Sequence, residues 1–196
     1  KPFTIGVYPL LPDDTCWFLA VDFDKTTWMD DIRAFTETCR LHEIQPIVER
    51  SRSGNGAHVW LFLADAMEAG LARRLGAALI TETMEHRPEM GLDSYDRLFP
   101  NQDTMPKGGF GNLIALPFQR NPLASGNTVF LDDNFDPYKD QWACLANIKR
   151  LNRSKVENIV SAAARQGRIM GVRMVVTDDA EDDPWTLPPS RRKKEP

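Results

Sequence analysis

Residues 16–24 read Cys-Trp-Phe-Leu-Ala-Val-Asp-Phe-Asp, an apolar run that closes on two carboxylates one residue apart. Pro12-Asp13-Asp14 precedes it and Lys25-Thr26-Thr27 follows, so the spacing predicts a buried strand over residues 16–23. Strand side chains two apart share a face at a Cα separation of roughly 7 Å, which makes Asp22 and Asp24 project together. Anions held that close repel and raise one pKa unless a cation sits between them. Mg²⁺ or Mn²⁺, which prefer hard oxygen ligands, would answer that repulsion. The plainer alternative is an exposed strand end leading into a helix.

That helix is predicted from Trp28, with Trp28, Ile32, Phe35 and Cys39 at four- and three-residue steps, Thr27 as cap with Asp30 in the first turn, and Pro46 beyond the end. Ile47–Arg50 and His58–Leu63 then read as a hairpin around the glycine-bearing turn Ser51–Ala57. Alternation puts His58 on one face with Trp60 and Phe62, and Val59, Leu61 and Leu63 on the other. Gly54 and Gly56 let backbone N–H groups approach an anion, Ser53 adds a hydroxyl, and Arg50, Arg52 and His58 add charge or donors. This inventory suits a phosphate group. Standing alone it equally describes an Asn-Gly hairpin with a histidine at the core edge, and it is no P-loop, because the Gly-Lys-Ser/Thr ending is missing.

A second helix is expected from Asp65, with Glu68 in its first turn, through Leu71, Leu75, Ala78 and Leu79 to Pro88. Residues 91–112 hold no periodic run and read as a long ordered loop, a feature more often functional than idle. Leu113–Leu116 and Thr128–Leu131 are strand candidates, Gln141–Leu151 is a short helix, and Ser154 with Glu157 forms a capping box for a last helix that stops near Gly167. The acidic run Asp178–Asp183, the prolines at 184, 188 and 189 and the basic cluster Arg191–Lys194 have the composition of a solvated linker.

The 196 residues, 42% hydrophobic and 27% charged, suffice for one domain with an appendage. A net charge of −4 argues against coating nucleic acid by bulk charge, though a local basic groove remains compatible with it. Residues 152–196 hold nine basic and seven acidic side chains, so the acidic excess belongs to residues 1–151. Three scattered cysteines, Cys16, Cys39 and Cys144, exclude a disulfide framework or zinc knuckle and fit a reducing, cytoplasmic setting. Apolar runs are strand-length, well short of the roughly 20 residues a membrane helix needs. The chain opens at Lys1 without a charged-then-apolar leader and reads as a piece of a longer protein.

Taken together, a strand ending in Asp-x-Asp, a helix, and a hairpin through Ser-Gly-x-Gly-x-His resemble the archaeo-eukaryotic primase superfamily. Its first motif matches Asp22 and Asp24, its second Ser53 to His58, and its third, an apolar residue followed by Asp, matches Leu92-Asp93. The stretch from Gly91 to Pro117 resembles in particular the primase-polymerase domains fused to helicases in prokaryotic conflict and CRISPR-associated systems. The resemblance covers about residues 5–151.

It implies an α+β fold of the primase type, with a mixed or antiparallel RRM-like sheet, flanking helices and an active-site cleft. Residues 1–151 would be the primase-polymerase domain, and residues 152–196 a helical extension and charged linker toward a helicase region. The implied activity is template-directed nucleotidyl transfer, primase or DNA polymerase, in DNA replication. Two Mg²⁺ or Mn²⁺ ions would sit on Asp22, Asp24 and Asp93, with Asp96 as alternative third ligand and Asp103 in the same region. Paired cations about 3.5–4 Å apart can bind both the attacking and leaving oxygens of an in-line displacement. Ser53, Gly54, Gly56 and His58 would grip the β- and γ-phosphates, assisted by Arg52 or Lys107. Where many primases carry Arg in the later strand, this chain has Ala115-Leu116-Pro117-Phe118-Gln119, which passes that contact to Gln119, Asn112 or Lys107. The implied partners are nucleoside triphosphates and a single-stranded or primed DNA template, with no membrane.

Three other classes compete. A metal-dependent nuclease clusters carboxylates but seldom needs a triphosphate cradle. A rolling-circle endonuclease needs a His-x-His pair, which His42, His58 and His86 do not form. A non-catalytic single-strand-binding module could stack bases on Trp17, Trp28, Trp60, Trp142 or Trp185, but has no evident use for Asp-x-Asp.

Overall fold

The structure, a computed structural model, describes residues 4–90 and 97–168. The apolar run at residues 16–23 is the centre of the sheet. Strand β2 (Thr15–Phe23) pairs with β4 (Ala57–Glu68) on one side and β5 (Arg97–Phe99) on the other. β4 continues to β3 (Ile47–Arg50) and β3 to β7 (Phe130–Leu131), giving a five-stranded, fully antiparallel sheet in the order β5-β2-β4-β3-β7. With helices α1 (Trp28–Leu41) and α2 (Ala69–His86), the chain from β2 to β5 follows the β-α-β-β-α-β order of split, ferredoxin-like units. A separate ribbon pairs β1 (Gly6–Val7) with β6 (Ile114–Ala115).

Alternation along β2 and β4 divides the core in two. Leu19, Val21, Phe23, Val59, Leu61 and Leu63 face α1 and α2, where they meet Trp28, Ile32, Phe35, Cys39, Leu71, Leu75 and Leu79. Each such side chain removed from water contributes about 1.5–3 kcal/mol. On the opposite face Ala20, Trp60, Ile47, Phe99 and Phe130 form a second cluster under Ile114 of β6, with Phe18, Phe62, Phe118, Leu145 and Ile148 packed against it. The predicted division of β4, with His58, Trp60 and Phe62 opposite Val59, Leu61 and Leu63, is the one observed.

Several elements differ from the sequence reading. Asp65–Glu68 extends β4 instead of starting α2, because Thr15 and Cys16 pair with Glu68 and Met67 and the Ala64 N–H donates to the Leu151 carbonyl. Within residues 91–112, read as loop, Arg97–Phe99 adds β5 to the sheet edge. Thr27 precedes α1 without accepting a cap bond; its hydroxyl donates to buried Asp31, which also accepts from Arg87. Helix α4 is only Gln141–Ala146, preceded by a single turn, α3 (Arg120–Leu123). Asn152, not Ser154, caps α5 (Arg153–Arg165) by accepting from the Lys155 N–H. Val156, Ile159 and Val160 of α5 are buried in the helix-side core, so up to Arg165 the chain is built onto the sheet. The linker-like stretch at residues 169–196 lies outside the described residues.

Candidate active site

The sheet register assembles a polar row at one end of the strands. Arg97 of β5 stands opposite Asp22, Asp22 opposite His58, His58 opposite Glu49, and Glu49 opposite Phe130. The row lies on the face away from α1 and α2, one step beyond the aromatic layer of Phe99, Ala20, Trp60 and Ile47. Its centre is His58, largely buried, with Nδ1 3.1 Å from Glu49 Oε2 and Nε2 3.6 Å from Asp22 Oδ1. A carboxylate only accepts, so Nδ1 donates to Glu49, and the same oxygen accepts from Trp60 Nε1 at 2.9 Å. The Asp22 contact is too long for a hydrogen bond and acts through charge.

Glu49, which no motif in the sequence marks, is 1% exposed. A buried carboxylate is tolerated only when paired, and Trp60 and His58 supply that pairing. For His58 the largest influence is burial, which disfavours the imidazolium. The Glu49 hydrogen bond and charge, with the charge of Asp22, outweigh it and raise the pKa above the usual 6.5. The ring therefore holds its proton to a higher pH than a free imidazole does. This matters for ligand chemistry: with Nδ1–H held by Glu49, only the charged ring presents a donor at Nε2.

The charge also bears on stability. A folded-state pKa above the unfolded one gives a contribution that is complete below pH 6.5 and lost as pH rises through the folded value. Glu49→Gln removes the main raising influence and leaves only the charge of Asp22 to oppose burial. Should the turn hold a triphosphate, its affinity in this variant is expected to fall away at a lower pH midpoint, read by titrating nucleotide affinity between pH 5 and 9. An unmoved midpoint would show that His58 is not the titrating group.

The glycine turn abuts the acidic strand end. A Cβ on Gly56 would lie 2.3 Å from the Phe23 carbonyl oxygen and 2.9 Å from Asp24 Cα, so the hairpin and the Asp-x-Asp strand touch backbone to backbone. Gly54 adopts φ +80°, where a side chain is strained, and packs on Asn127, whose amide donates to the Arg52 carbonyl. The Gly54 N–H donates to Ser51 O, the Ser51 N–H to Gly56 O and the Asn55 N–H to Ser53 Oγ, so three of the turn's amides are engaged inside it. Ser53, exposed and accepting through that oxygen, keeps its O–H to donate, with Ser51 Oγ 3.1 Å away.

The remaining expected site residues separate into groups. Asp24 sits one residue past β2, half exposed, with its carboxylate 3.2 Å from Lys25 Nζ. Arg52 is exposed and donates to Thr4 Oγ1. Gln119 does not match the triphosphate role expected of it: it is buried, donates to the Ile5 and Leu116 carbonyls and accepts from the Ile5 N–H, so its amide clasps the N-terminal segment. Asp103 accepts from buried Arg73 of α2 at 2.6 Å, a pairing that ties its loop to the helix. Arg50 follows Glu49 on β3 and therefore points to the opposite sheet face from His58. Lys107 is exposed and Asn112 half-buried, both on the segment between β5 and β6. Asp93 and Asp96 lie outside the described residues.

The carboxylates at the end of β2 suit a hard divalent cation. Asp22 and Asp24 offer carboxylate oxygens of the kind Mg²⁺ and Mn²⁺ prefer. Among the described residues no three His, Cys, Asp or Glu side chains group as a metal site. Cysteine chemistry is not offered here: Cys16 and Cys39 are buried free thiols, and burial pushes Cys16 up to about 12 and Cys39 higher still.

An antiparallel α+β domain whose acidic strand end meets a Ser-Gly-x-Gly-x-His hairpin is a primase-type domain. The chain belongs to the family described as TOTE conflict system, Archaeo-Eukaryotic Primase domain, which matches residues 2–159. That span includes β1 through the first half of α5. Among curated proteins none matches this chain. Among the described residues no helix is long and apolar enough to cross a membrane.

Proposed function

We propose that the chain is a template-directed nucleotidyltransferase, a primase-polymerase that joins nucleoside triphosphates to a 3′-hydroxyl on a single-stranded or primed DNA template. The observation that carries the reading is the contact of Gly56 with Phe23 and Asp24, beside the Asp22–His58–Glu49 row. It brings an acidic centre and a phosphate-binding turn to one place, and a nuclease has little use for the second.

In this reading Asp22 and Asp24, with Asp93 or alternatively Asp96, hold two Mg²⁺ or Mn²⁺ ions. Such ions, when bound, neutralise charge on the reacting phosphate and on the attacking and leaving oxygens. The His58 imidazolium directs Nε2–H toward the β- and γ-phosphates, a charge-assisted contact. Glu49 fixes the ring and holds its proton. Ser53 adds its hydroxyl from the turn, Arg52 and Lys107 bring charge from its margins, and Asn112 lies on the same strand-flanking segment as Lys107. No protein nucleophile takes part. The helicase region would follow in the same full-length chain, in the cytoplasm.

The test is incubation with Mn²⁺, nucleoside triphosphates and either primed or unprimed single-stranded DNA. Longer strands support the reading, shortened strands would replace it with a nuclease, and unchanged strands would leave a binding module. Products from the unprimed substrate would add de novo priming.

A further inference from the structure

The polar row that crosses the sheet opens by steps toward β5. The Glu49 side chain at its β3 end is 1% exposed, that of His58 12% and that of Asp22 19%, and Arg97, the first residue of β5, is exposed. β5 is also the outermost strand of the described sheet on that side. Antiparallel pairing sets Arg97 directly across from Asp22, and residues paired in this way project from one face with Cβ atoms about 5 Å apart. A guanidinium therefore stands beside the acids at the open end of the row, and the function proposed above gives it no role.

Its side of the row carries the argument. The glycine turn joins β3 to β4, so turn and His58 lie on one side of Asp22 and Arg97 on the other. Nucleotidyl transfer is an in-line displacement, in which the attacking and leaving oxygens sit on opposite sides of the reacting phosphorus. With the β- and γ-phosphates on Ser53 and His58, pyrophosphate departs toward β4, and the 3′-hydroxyl must arrive from β5, where the row is open. The anion that such a hydroxyl brings with it is the phosphodiester joining the last two nucleotides of its strand. A guanidinium matches two oxygens of one phosphate with its planar fork, which a point charge cannot do.

We infer that Arg97 grips the terminal phosphodiester of the primer strand and so sets the 3′-hydroxyl against the acids at the end of β2. The inference rests on the proposed function, in which the turn and His58 hold the triphosphate tail. Its test is primer extension at saturating Mn²⁺ and nucleotide with two primers, one ordinary and one whose last linkage is a methylphosphonate, nearly the same shape without the charge. The wild type is expected to use the neutral primer with kcat/KM lower by about tenfold or more. Arg97→Gln should lose a similar factor on the ordinary primer and nothing further on the neutral one. Arg97→Lys, which keeps the charge without the fork, should fall between wild type and Arg97→Gln. Circular dichroism checks that both variants fold, which the exposure of Arg97 favours, and the comparison of primers on the wild type needs no variant.

Equal use of the two primers by the wild type overturns the inference while leaving the polymerase reading in place. So does an Arg97→Gln variant that still loses the full factor on the neutral primer, or whose loss is repaired by more Mn²⁺, which would make Arg97 a support for Asp22 alone. A wild type that extends neither primer removes the polymerase reading and this inference with it.

Discussion

Replacing Asp22 and Asp24 together by alanine is expected to lower nucleotide addition by at least about a thousandfold, while circular dichroism and the melting temperature report a folded protein. The magnitude follows from what the carboxylates do in the proposed reaction. Removing a single preorganised electrostatic partner of a transition state costs about 10²–10³ in rate, and here the whole described part of the cation-binding set is removed. The fold should survive because Asp24 is half exposed beyond the end of β2 and Asp22 lies outside both apolar clusters of the core. Loss of Asp22 takes away one of the influences that raise the His58 pKa, so the variant's residual nucleotide affinity should also fade at lower pH than the wild type's. Primer extension that persists in a folded double variant would remove these residues from the chemistry.

Gly56→Ala is expected to be as damaging by a different route. The new methyl would meet the Phe23 carbonyl oxygen at 2.3 Å and Asp24 Cα at 2.9 Å, both main-chain atoms that cannot turn aside. The hairpin must then lift from the acidic strand end. Overpacking of this kind costs about 1–3 kcal/mol, and a displacement near 1 Å in a positioned site costs about 10²-fold in rate. The two readouts should move together, a lower melting temperature and a hundredfold drop in kcat/KM. Gly54→Ala offers a comparison: it strains φ at +80° and presses on the Asn127 side chain, but leaves the Phe23–Asp24 contact alone. A Gly56→Ala enzyme with wild-type kinetics would mean that turn and acids work independently.

Much of the sheet was legible because its strands carry their own signals. The apolar run to Phe23, the alternation from His58 to Leu63 and the four- and three-residue steps of α1 each report burial on a known face. What failed did so where local pattern lost to pairing. Asp65–Glu68 has the look of a helix start, yet Thr15 and Cys16 hold it in the sheet. Arg97–Phe99 is too short to show a period and becomes a strand only beside β2. Gln119 has the right chemistry for a phosphate contact, but its amide is engaged by Ile5 and Leu116, residues far apart in the chain.

Glu49 was the missed member of the candidate site, though a signal for it existed. The turn at residues 51–56 closes between Ser51 and Gly56, and counting outward from that closure places position 49 directly across from His58. A carboxylate at an otherwise apolar strand position, facing a histidine, should have been read as its partner.

The central claim is that the acids at the end of β2 and the Ser53–His58 turn make one nucleotide site. Crystals grown with Mn²⁺ and a non-hydrolysable deoxynucleoside triphosphate test it through the anomalous signal of manganese. Manganese on Asp22 and Asp24, with the β- and γ-phosphates against Ser53, Gly56 and His58 Nε2, is the predicted result. Manganese bound elsewhere, with the triphosphate away from the turn, would contradict it.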